Sequence, residues 1–231
     1  MTKAKYYINF KKYYVALDCV IFGFTGENLE TILIKRNFQP GLGAWALPGG
    51  FIEPKESLDK ASERILTTLT GLSDIYMEQF YTFGEVNRDP GARIISVGYY
   101  ALIKIDDYGK ELVSKHNAFR RKITNIPKLM FDHNIIFEKA LEQLRIKVKN
   151  RPIGLELLPE KFTLPQLQKL YESIYLTKLD KRNFRKKILA MDIFEKQKEK
   201  DKESSKRGAF FYKFNKQEYN KLVAKGYNFE L

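Results

Sequence analysis

The segment 50–72 places charged side chains at spacings that suit the chemistry of phosphates and metal ions. Glu56 lies eight residues before Arg64, and the turn WALPGG leads into the segment. Positions 65, 68 and 69 lie close together in a helix, where carboxylates would converge on divalent ions that neutralise a diphosphate. Those three positions hold Ile65, Thr68 and Leu69. The segment therefore predicts the frame of a phosphohydrolase metal site without its ligands.

This segment resembles the Nudix box, G-x5-E-x7-R-E-U-x-E-E-x-G-U, in which U is a bulky apolar residue. The residues that match the box are Gly50, Glu56, Arg64, Leu66, Gly71 and Leu72. Glu63 cannot replace a glutamate at position 65, because two residues turn a helix by roughly 200°. We therefore predict a degenerate Nudix scaffold with no catalytic and no metal-binding residues. Two alternatives stay open: an accidental similarity, and a working hydrolase with displaced ligands.

A helix and several strands are predicted to position this segment. The helix covers 57–70, because Ser57 suits an N-cap, Gly71 suits a C-terminal stop, and apolar residues recur every three or four positions. Apolar runs predict strands at 13–24, 31–35 and 93–105. A helix between strands indicates a sheet that is covered by helices.

Two polar residues lie in predicted structural elements. Asp18 interrupts the first apolar run, and a buried carboxylate is costly unless it is hydrogen-bonded or contacts a ligand. Both roles of Asp18 stay open. His133 precedes a predicted helix at 134–149, and we interpret it as a helix-start or interface residue and not as a catalyst.

Residues 151–231 predict a helix-turn-helix arrangement. Thr163 suits the cap of a helix at 164–175, and Asp180 suits the cap of a second helix at 181–191. The outer face of the second helix carries residue types that pair with phosphates and with base edges in a major groove. These residues are Lys181, Arg182, Asn183, Arg185 and Lys186.

A basic hairpin is predicted after these helices, from apolar or alternating runs at 193–200 and 209–215. Its tip contains Ser205, Lys206 and Arg207, which could contact phosphate or enter a minor groove. Residues 151–231 carry 19 basic and 11 acidic side chains, net +8, against 22 and 17, net +5, in residues 1–150. Each cluster alone could be a solvated face, but their order predicts binding to double-stranded DNA.

Composition narrows the class of protein. The 231 residues are 44% hydrophobic, and no apolar run is long enough to span a bilayer. The formal charge of +13 favours a polyanionic partner. One cysteine, Cys19, excludes an intrachain disulfide, and two histidines leave too few ligands for a structural zinc site. We expect a cytoplasmic protein with no membrane contact and no cofactor.

The two predicted helices and the basic hairpin together make a winged helix-turn-helix. Joined to the degenerate box, it resembles the Nudix-related transcriptional regulators, the group of NrtR and the arabinose-responsive AraR. Further resembling segments are FDH at 131–133, LLPEKFTLPQLQKLYESIY at 157–175 and LDKRNFRKKI at 179–188. The resemblance implies an α+β fold, with an N-terminal Nudix-like α/β/α sandwich (1–150) for effector sensing and dimerisation. Residues 151–231 would form a winged helix-turn-helix domain that binds operator DNA, and the chain would be a homodimer.

Within the group, the segments 19–24, 35–40 and 205–215 are most similar to AraR, which implies L-arabinose as effector and control of carbohydrate utilisation. Sugar hydroxyls need carboxylate and amine partners and a flat apolar wall, which Asp18, Lys35 and Trp45 could supply. Two alternatives are an ADP-ribose-responsive regulator of NAD metabolism and a Nudix hydrolase of a nucleoside diphosphate derivative.

Overall fold

The chain folds around a seven-stranded sheet in its N-terminal half and a three-stranded sheet in its C-terminal half. The computed structural model describes residues 8–73, 75–104, 116–150, 155–202 and 208–225. Its helices are α1 (Leu58–Thr70), α2 (His133–Asn150), α3 (Leu164–Tyr175), α4 (Lys181–Ala190) and α5 (Lys216–Ala224). Its strands are β1 (Tyr14–Phe24), β2 (Leu29–Lys35), β3 (Trp45–Ala46), β4 (Gly49–Phe51), β5 (Met77–Phe83), β6 (Ile94–Lys104), β7 (Ala118–Lys122), β8 (Phe162–Thr163), β9 (Phe194–Asp201) and β10 (Ala209–Phe214). None of the helices in these ranges is long and apolar enough to cross a bilayer.

The larger sheet has β1 and β6 near its centre. Its strand order is β3-β2-β1-β6-β5, with β4 paired to β1 and β7 paired to β2. Strands β1 and β6 are parallel and pair along their whole length, from Tyr14 opposite Ile94 to Phe24 opposite Lys104. Both are mostly buried and therefore form a rigid base for the loops at their ends.

Helices cover both faces of this sheet. Leu17 of β1 packs with Ile65 of α1 in one hydrophobic cluster. Phe22 lies on the opposite face, with its ring 6.0 Å from that of Phe137 in α2. Alternate side chains of a strand point to opposite faces, so β1 contributes to both layers. The predicted α/β/α sandwich is confirmed.

Local caps explain the limits of α1. The Ser57 side chain accepts a hydrogen bond from the Lys60 N–H, and the Gly71 N–H donates to the Thr67 carbonyl. Gly71 has a φ of 74°, a left-handed conformation that glycine adopts without steric cost. The helix therefore begins and ends within one residue of the predicted range.

The C-terminal half is a winged helix-turn-helix, as predicted. Helices α3 and α4 pack through Tyr171 and Phe184, whose ring centroids lie 5.8 Å apart. A capping box at Thr163 starts α3, and Asp180 caps α4 by accepting from a backbone N–H. Strands β8, β10 and β9 form the small sheet in that order.

Helix α2 joins the two halves. The Arg145 Nε–H donates to the Ile174 carbonyl of α3 at 2.9 Å, and the Tyr175 hydroxyl donates to the Arg145 carbonyl at 3.3 Å. One hydrophobic cluster extends across both halves. The predicted limit at 150 adjoins residues 151–154, which lie outside the described residues. The division into 1–150 and 151–231 therefore stays a prediction.

Candidate ligand pocket and nucleic-acid interface

A pocket in the N-terminal half is lined by β1, β2, β4, the loop before β6 and the start of α2. It has about 850 Å³ of empty space, including its open mouth. The lining includes the charged or aromatic side chains of Asp18, Lys35, Arg36, Phe38, Arg88 and Phe131. A concave site with cationic and aromatic groups suits a charged ligand that carries a ring.

Arg88 is the centre of a buried charged cluster beside this pocket. Its Nε and Nη2 atoms donate to Asp132 Oδ2 and Oδ1, both at 2.8 Å. Its Nη2 also lies 3.3 Å from Asp18 Oδ2, which accepts a 2.5 Å hydrogen bond from the Ser96 hydroxyl. Buried charges are tolerated only when they are paired, and this cluster meets that condition. Asp18 is therefore both a structural partner and a pocket residue.

His133 fixes the start of α2 against the turn before β4. Its Nδ1 accepts a hydrogen bond from the Leu47 N–H at 3.0 Å. The other ring nitrogen, Nε2, must then carry the proton of the neutral ring, and it lies 3.5 Å from Asp18 Oδ1. The prediction that His133 starts a helix is confirmed.

Glu56 and Arg64 of the Nudix-like box bind each other. The Arg64 Nε and Nη2 atoms donate to Glu56 Oε2 and Oε1 at 2.9 and 2.6 Å. Arg64 also donates to the Phe51 carbonyl at 2.9 Å, and Glu56 accepts from the Glu53 N–H at 2.7 Å. The hydrogen bond from Arg64 lowers the pKa of Glu56. This pair therefore ties β4 and the following loop to α1.

The helix positions where a Nudix metal site would need carboxylates have other contacts. Ile65 is buried beneath Gly50, where an added Cβ would lie 3.3 Å from Ile65 Cγ1. Leu69 lines the pocket, and Thr68 is exposed. Within the described ranges, no group of three or more His, Cys, Asp or Glu side chains could hold a metal ion. The side chains at these positions do not fit the divalent ion of a Nudix hydrolase.

The three predicted effector residues have different surroundings. Asp18 and Lys35 line the pocket, whereas Trp45 does not. The Trp45 ring centroid lies 4.5 Å from Lys35 Nζ and 4.6 Å from Arg121 Cζ. Trp45 therefore packs against two cations. Contact of Asp18, Lys35 and Trp45 with an effector stays a prediction.

Helix α4 presents a basic face to solvent. Phe184 and Ile188 are buried and hold the helix against the domain. The predicted DNA-contacting side chains are all exposed, namely Lys181, Arg182, Asn183, Arg185 and Lys186. An exposed basic helix that follows a packed helix and a short turn has the geometry of a major-groove recognition helix.

The wing lies between β9 and β10. Ser205, Lys206 and Arg207 come between these strands in the sequence and lie outside the described residues, so their DNA contact stays a prediction. In the adjoining β9, Lys196 Nζ and Lys200 Nζ lie 3.7 and 4.5 Å from the Phe210 ring centroid.

Comparisons with known proteins assign both halves. Residues 12–118 match the NUDIX domain, and residues 154–214 match the NrtR DNA-binding winged helix domain. The ADPR responsive transcriptional repressor NtrR of Acinetobacter baylyi is 31% identical over 210 residues, which cover 89% of this chain and 84% of that protein. The chain belongs to the NrtR family. It is thus a member of a family of transcriptional regulators that join a Nudix domain to a winged helix.

Two structures of Shewanella oneidensis NrtR resemble different parts of this NrtR-family chain. The complex with a 27mer DNA is 30% identical, with a TM-score of 0.75, and covers 87% of this chain and 93% of that one. The NUDIX domain complexed with ADP ribose is 32% identical, with a TM-score of 0.53, and covers 62% and 99%. An ADP-ribose pyrophosphatase of Methanocaldococcus jannaschii is 32% identical over 55% of this chain and 76% of that enzyme.

These relatives overturn the predicted effector. The prediction of L-arabinose and of carbohydrate utilisation is wrong, because the A. baylyi relative is named for its response to ADP-ribose and the S. oneidensis NUDIX domain is complexed with ADP ribose. These relatives do not support closeness to AraR either. Of the segments that suggested AraR, 19–24 belongs to the buried β1, and residues 209–214 of the segment 205–215 form β10.

Three charged groups of the NrtR-family pocket were not identified from the sequence. Arg36 and Arg88 lie in loops. Asp132 belongs to the FDH segment at 131–133, which served only as a sign of family resemblance. Arg88 meets partners 44 and 70 residues away, which a single sequence does not reveal. The one available signal was the position of Asp18 within an apolar run, since a buried carboxylate requires a hydrogen-bond partner or a ligand.

Proposed function

We propose that this chain is an ADP-ribose-responsive transcriptional repressor. It binds operator DNA through α4 and the wing, and it senses ADP-ribose in the pocket beside Arg88. The observation that carries this proposal is the combination, in one chain, of the α4 basic face and a cationic pocket in a Nudix fold. Support comes from the similarity to S. oneidensis NrtR in its DNA complex and in its NUDIX complex with ADP ribose.

The DNA-binding part of the proposal rests on charge and exposure. The α4 side chains that point outward supply guanidinium and ammonium groups for phosphates and guanine edges, and Asn183 supplies an amide for adenine. A homodimer would place two such helices in successive major grooves, about one helical turn apart. This geometry predicts an operator with two related half-sites. Such a regulator acts where the chromosome lies, in the cytoplasm.

The sensing part of the proposal requires binding without hydrolysis. Glu56 already accepts hydrogen bonds from Arg64, and Ile65 and Leu69 supply no metal ligands. Residues 1–150 then act as the sensor and dimerisation domain, and residues 151–231 as the DNA-binding domain. Bound ADP-ribose changes the operator affinity only if it prefers one of the two dimer geometries.

Selection of duplexes from a random DNA library tests the proposal. The purified full-length chain should enrich a two-fold-related sequence and bind it in a salt-dependent manner. Adding ADP-ribose should change the affinity for the selected duplex. Failure to enrich any sequence, with or without ADP-ribose, would exclude the proposed function.

A further inference from the structure

Three Lys or Arg side chains of the described residues line the pocket: Lys35, Arg36 and Arg88. The charge of Arg88 is compensated by Asp18 and Asp132. Lys35 Nζ lies 4.5 Å from the ring centroid of Trp45, a residue that does not line the pocket. Neither Lys35 nor Arg36 forms an ion pair with a carboxylate within the described ranges, but Arg36 differs from both other cations because its Nε is buried without a hydrogen-bond partner.

Arg36 is nonetheless held in one place. Its guanidinium carbon lies 3.7 Å from the ring centroid of Phe38 and 6.0 Å from that of Phe131. Its backbone is fixed as well, since its N–H donates to the Ala44 carbonyl at 3.0 Å and its carbonyl accepts from the Gly43 N–H at 2.7 Å. Stacking on an aromatic ring orients the planar guanidinium and leaves its edge free for hydrogen bonds.

The environment of Arg36 makes its charge costly in the empty pocket. Burial lowers the pKa of Arg36, and the negative charges of Asp89 and Asp18 partly offset this effect without touching the group. A buried donor that lacks a partner destabilises the protein. An anion next to Arg36 would supply both the missing hydrogen bond and the missing charge.

Phe131 adds a second sign of pre-organisation. This residue has a φ of 48°, a left-handed conformation that non-glycine residues rarely adopt. Its ring borders the pocket, and it directly precedes Asp132 and His133, which are both fixed by hydrogen bonds. Backbone strain of this kind persists where the surrounding structure demands it, which includes ligand sites.

We propose that Arg36, stacked on Phe38, is the residue that binds the phosphate groups of the effector and selects phosphorylated ligands over neutral ones. This inference rests on the proposed function, because it assigns a role within the same pocket. The ligand class is a nucleoside diphosphate derivative, in which the diphosphate accepts charge-assisted hydrogen bonds from Arg36. Arg88 cannot take this role while both of its carboxylate partners remain bound.

Isothermal titration of full-length protein with ADP-ribose and with adenosine tests the assignment. Arg36→Met should weaken ADP-ribose binding by roughly 10- to 150-fold, the effect of one lost hydrogen bond to a charged group. Arg36→Lys keeps the charge but not the planar fork, so it should lose less. Adenosine, which lacks phosphates, should bind the wild type and both variants equally. Lys128→Met, which removes an exposed charge elsewhere, is the matched control.

The outcomes separate this inference from the proposed function. If wild type binds ADP-ribose and Arg36→Met binds it equally well, the assignment of Arg36 fails and the sensor function stands. If wild type does not bind ADP-ribose, the sensor function fails, and inorganic pyrophosphate then tests Arg36 alone. If pyrophosphate raises the melting temperature of the wild type but not that of Arg36→Met, the phosphate-binding role of Arg36 is supported. If pyrophosphate does not stabilise the wild type, that role is excluded.

Discussion

Arg88 and Asp132 form a two-point ion pair, with both N–O distances at 2.8 Å, although they lie 44 residues apart in the chain. The pair fastens the loop between β5 and β6 to the start of α2. Asp18 of β1 joins the same guanidinium at 3.3 Å. Three separate segments around the pocket are thus held by one buried cation.

Removing that cation should destabilise the fold. Arg88→Met leaves two buried carboxylates without their shared partner, and breaking a buried pair in this way typically costs about 3–5 kcal/mol. Urea denaturation followed by circular dichroism measures the change. Lys128→Met, at an exposed site, should stay within about 0.5 kcal/mol of wild type. An Arg88→Met protein as stable as the control would mean that the cluster does not support the fold.

The elements that were predicted well are those with strong local signals. Caps at Ser57, Thr163 and Asp180 and regular apolar spacing fixed α1, α3 and α4 within one residue. Strand β5 had no such signal, because most of its side chains are exposed or only half-buried. The short β7 and the terminal α5, which has no buried residue, were missed for the same reason.

The pocket could be predicted only in part. Asp18 was found because a carboxylate within an apolar strand requires an explanation. Arg36 and Arg88 were not found, because their roles depend on contacts across the fold and not on neighbouring residues. The packing of Trp45 against Arg121 was not predicted, because a tryptophan beside a glycine-rich turn can serve as a ligand wall or as a packing residue.

Substitution in α4 should reduce operator affinity. Arg182→Ala removes an exposed guanidinium, which should cost about 1–3 kcal/mol if it contacts a base. Fluorescence anisotropy with a labelled operator measures this loss, and repeating it over several salt concentrations separates base contacts from phosphate contacts. Lys128→Ala, with the same change in charge outside the winged helix, serves as control. Equal operator affinity for Arg182→Ala and wild type would place recognition elsewhere.

Arg145 should be needed for communication between the halves. Its Nε–H bonds to the Ile174 carbonyl, and α2 extends from the pocket at His133 to this contact. The Arg145→Met protein should therefore bind ADP-ribose alone and operator alone as the wild type does. The change in operator affinity that ADP-ribose causes should be smaller. The ratio of operator dissociation constants with and without ADP-ribose measures this coupling. Lys149→Met removes an exposed charge from the same helix and should keep the full ratio; a full ratio in Arg145→Met would contradict the prediction.

The pocket should bind ADP-ribose without cleaving it. Ile65 and Leu69 provide no carboxylates for a divalent ion, and Glu56 is hydrogen-bonded to Arg64. Incubation with ADP-ribose and Mg²⁺, followed by chromatography, should therefore yield no AMP from wild type. The M. jannaschii pyrophosphatase to which this chain is similar makes the assay necessary. Release of AMP that disappears in Glu56→Gln would mean that the chain is a hydrolase.

The most direct test of the central claim is the operator affinity of the full-length protein during titration with ADP-ribose, followed by fluorescence anisotropy at constant salt. The account predicts that ADP-ribose changes the apparent Kd of the selected duplex by roughly 5- to 150-fold, the usual range of coupling between two sites. L-Arabinose and adenosine should leave it unchanged. An operator affinity that is insensitive to ADP-ribose, or that responds equally to L-arabinose, would contradict the account.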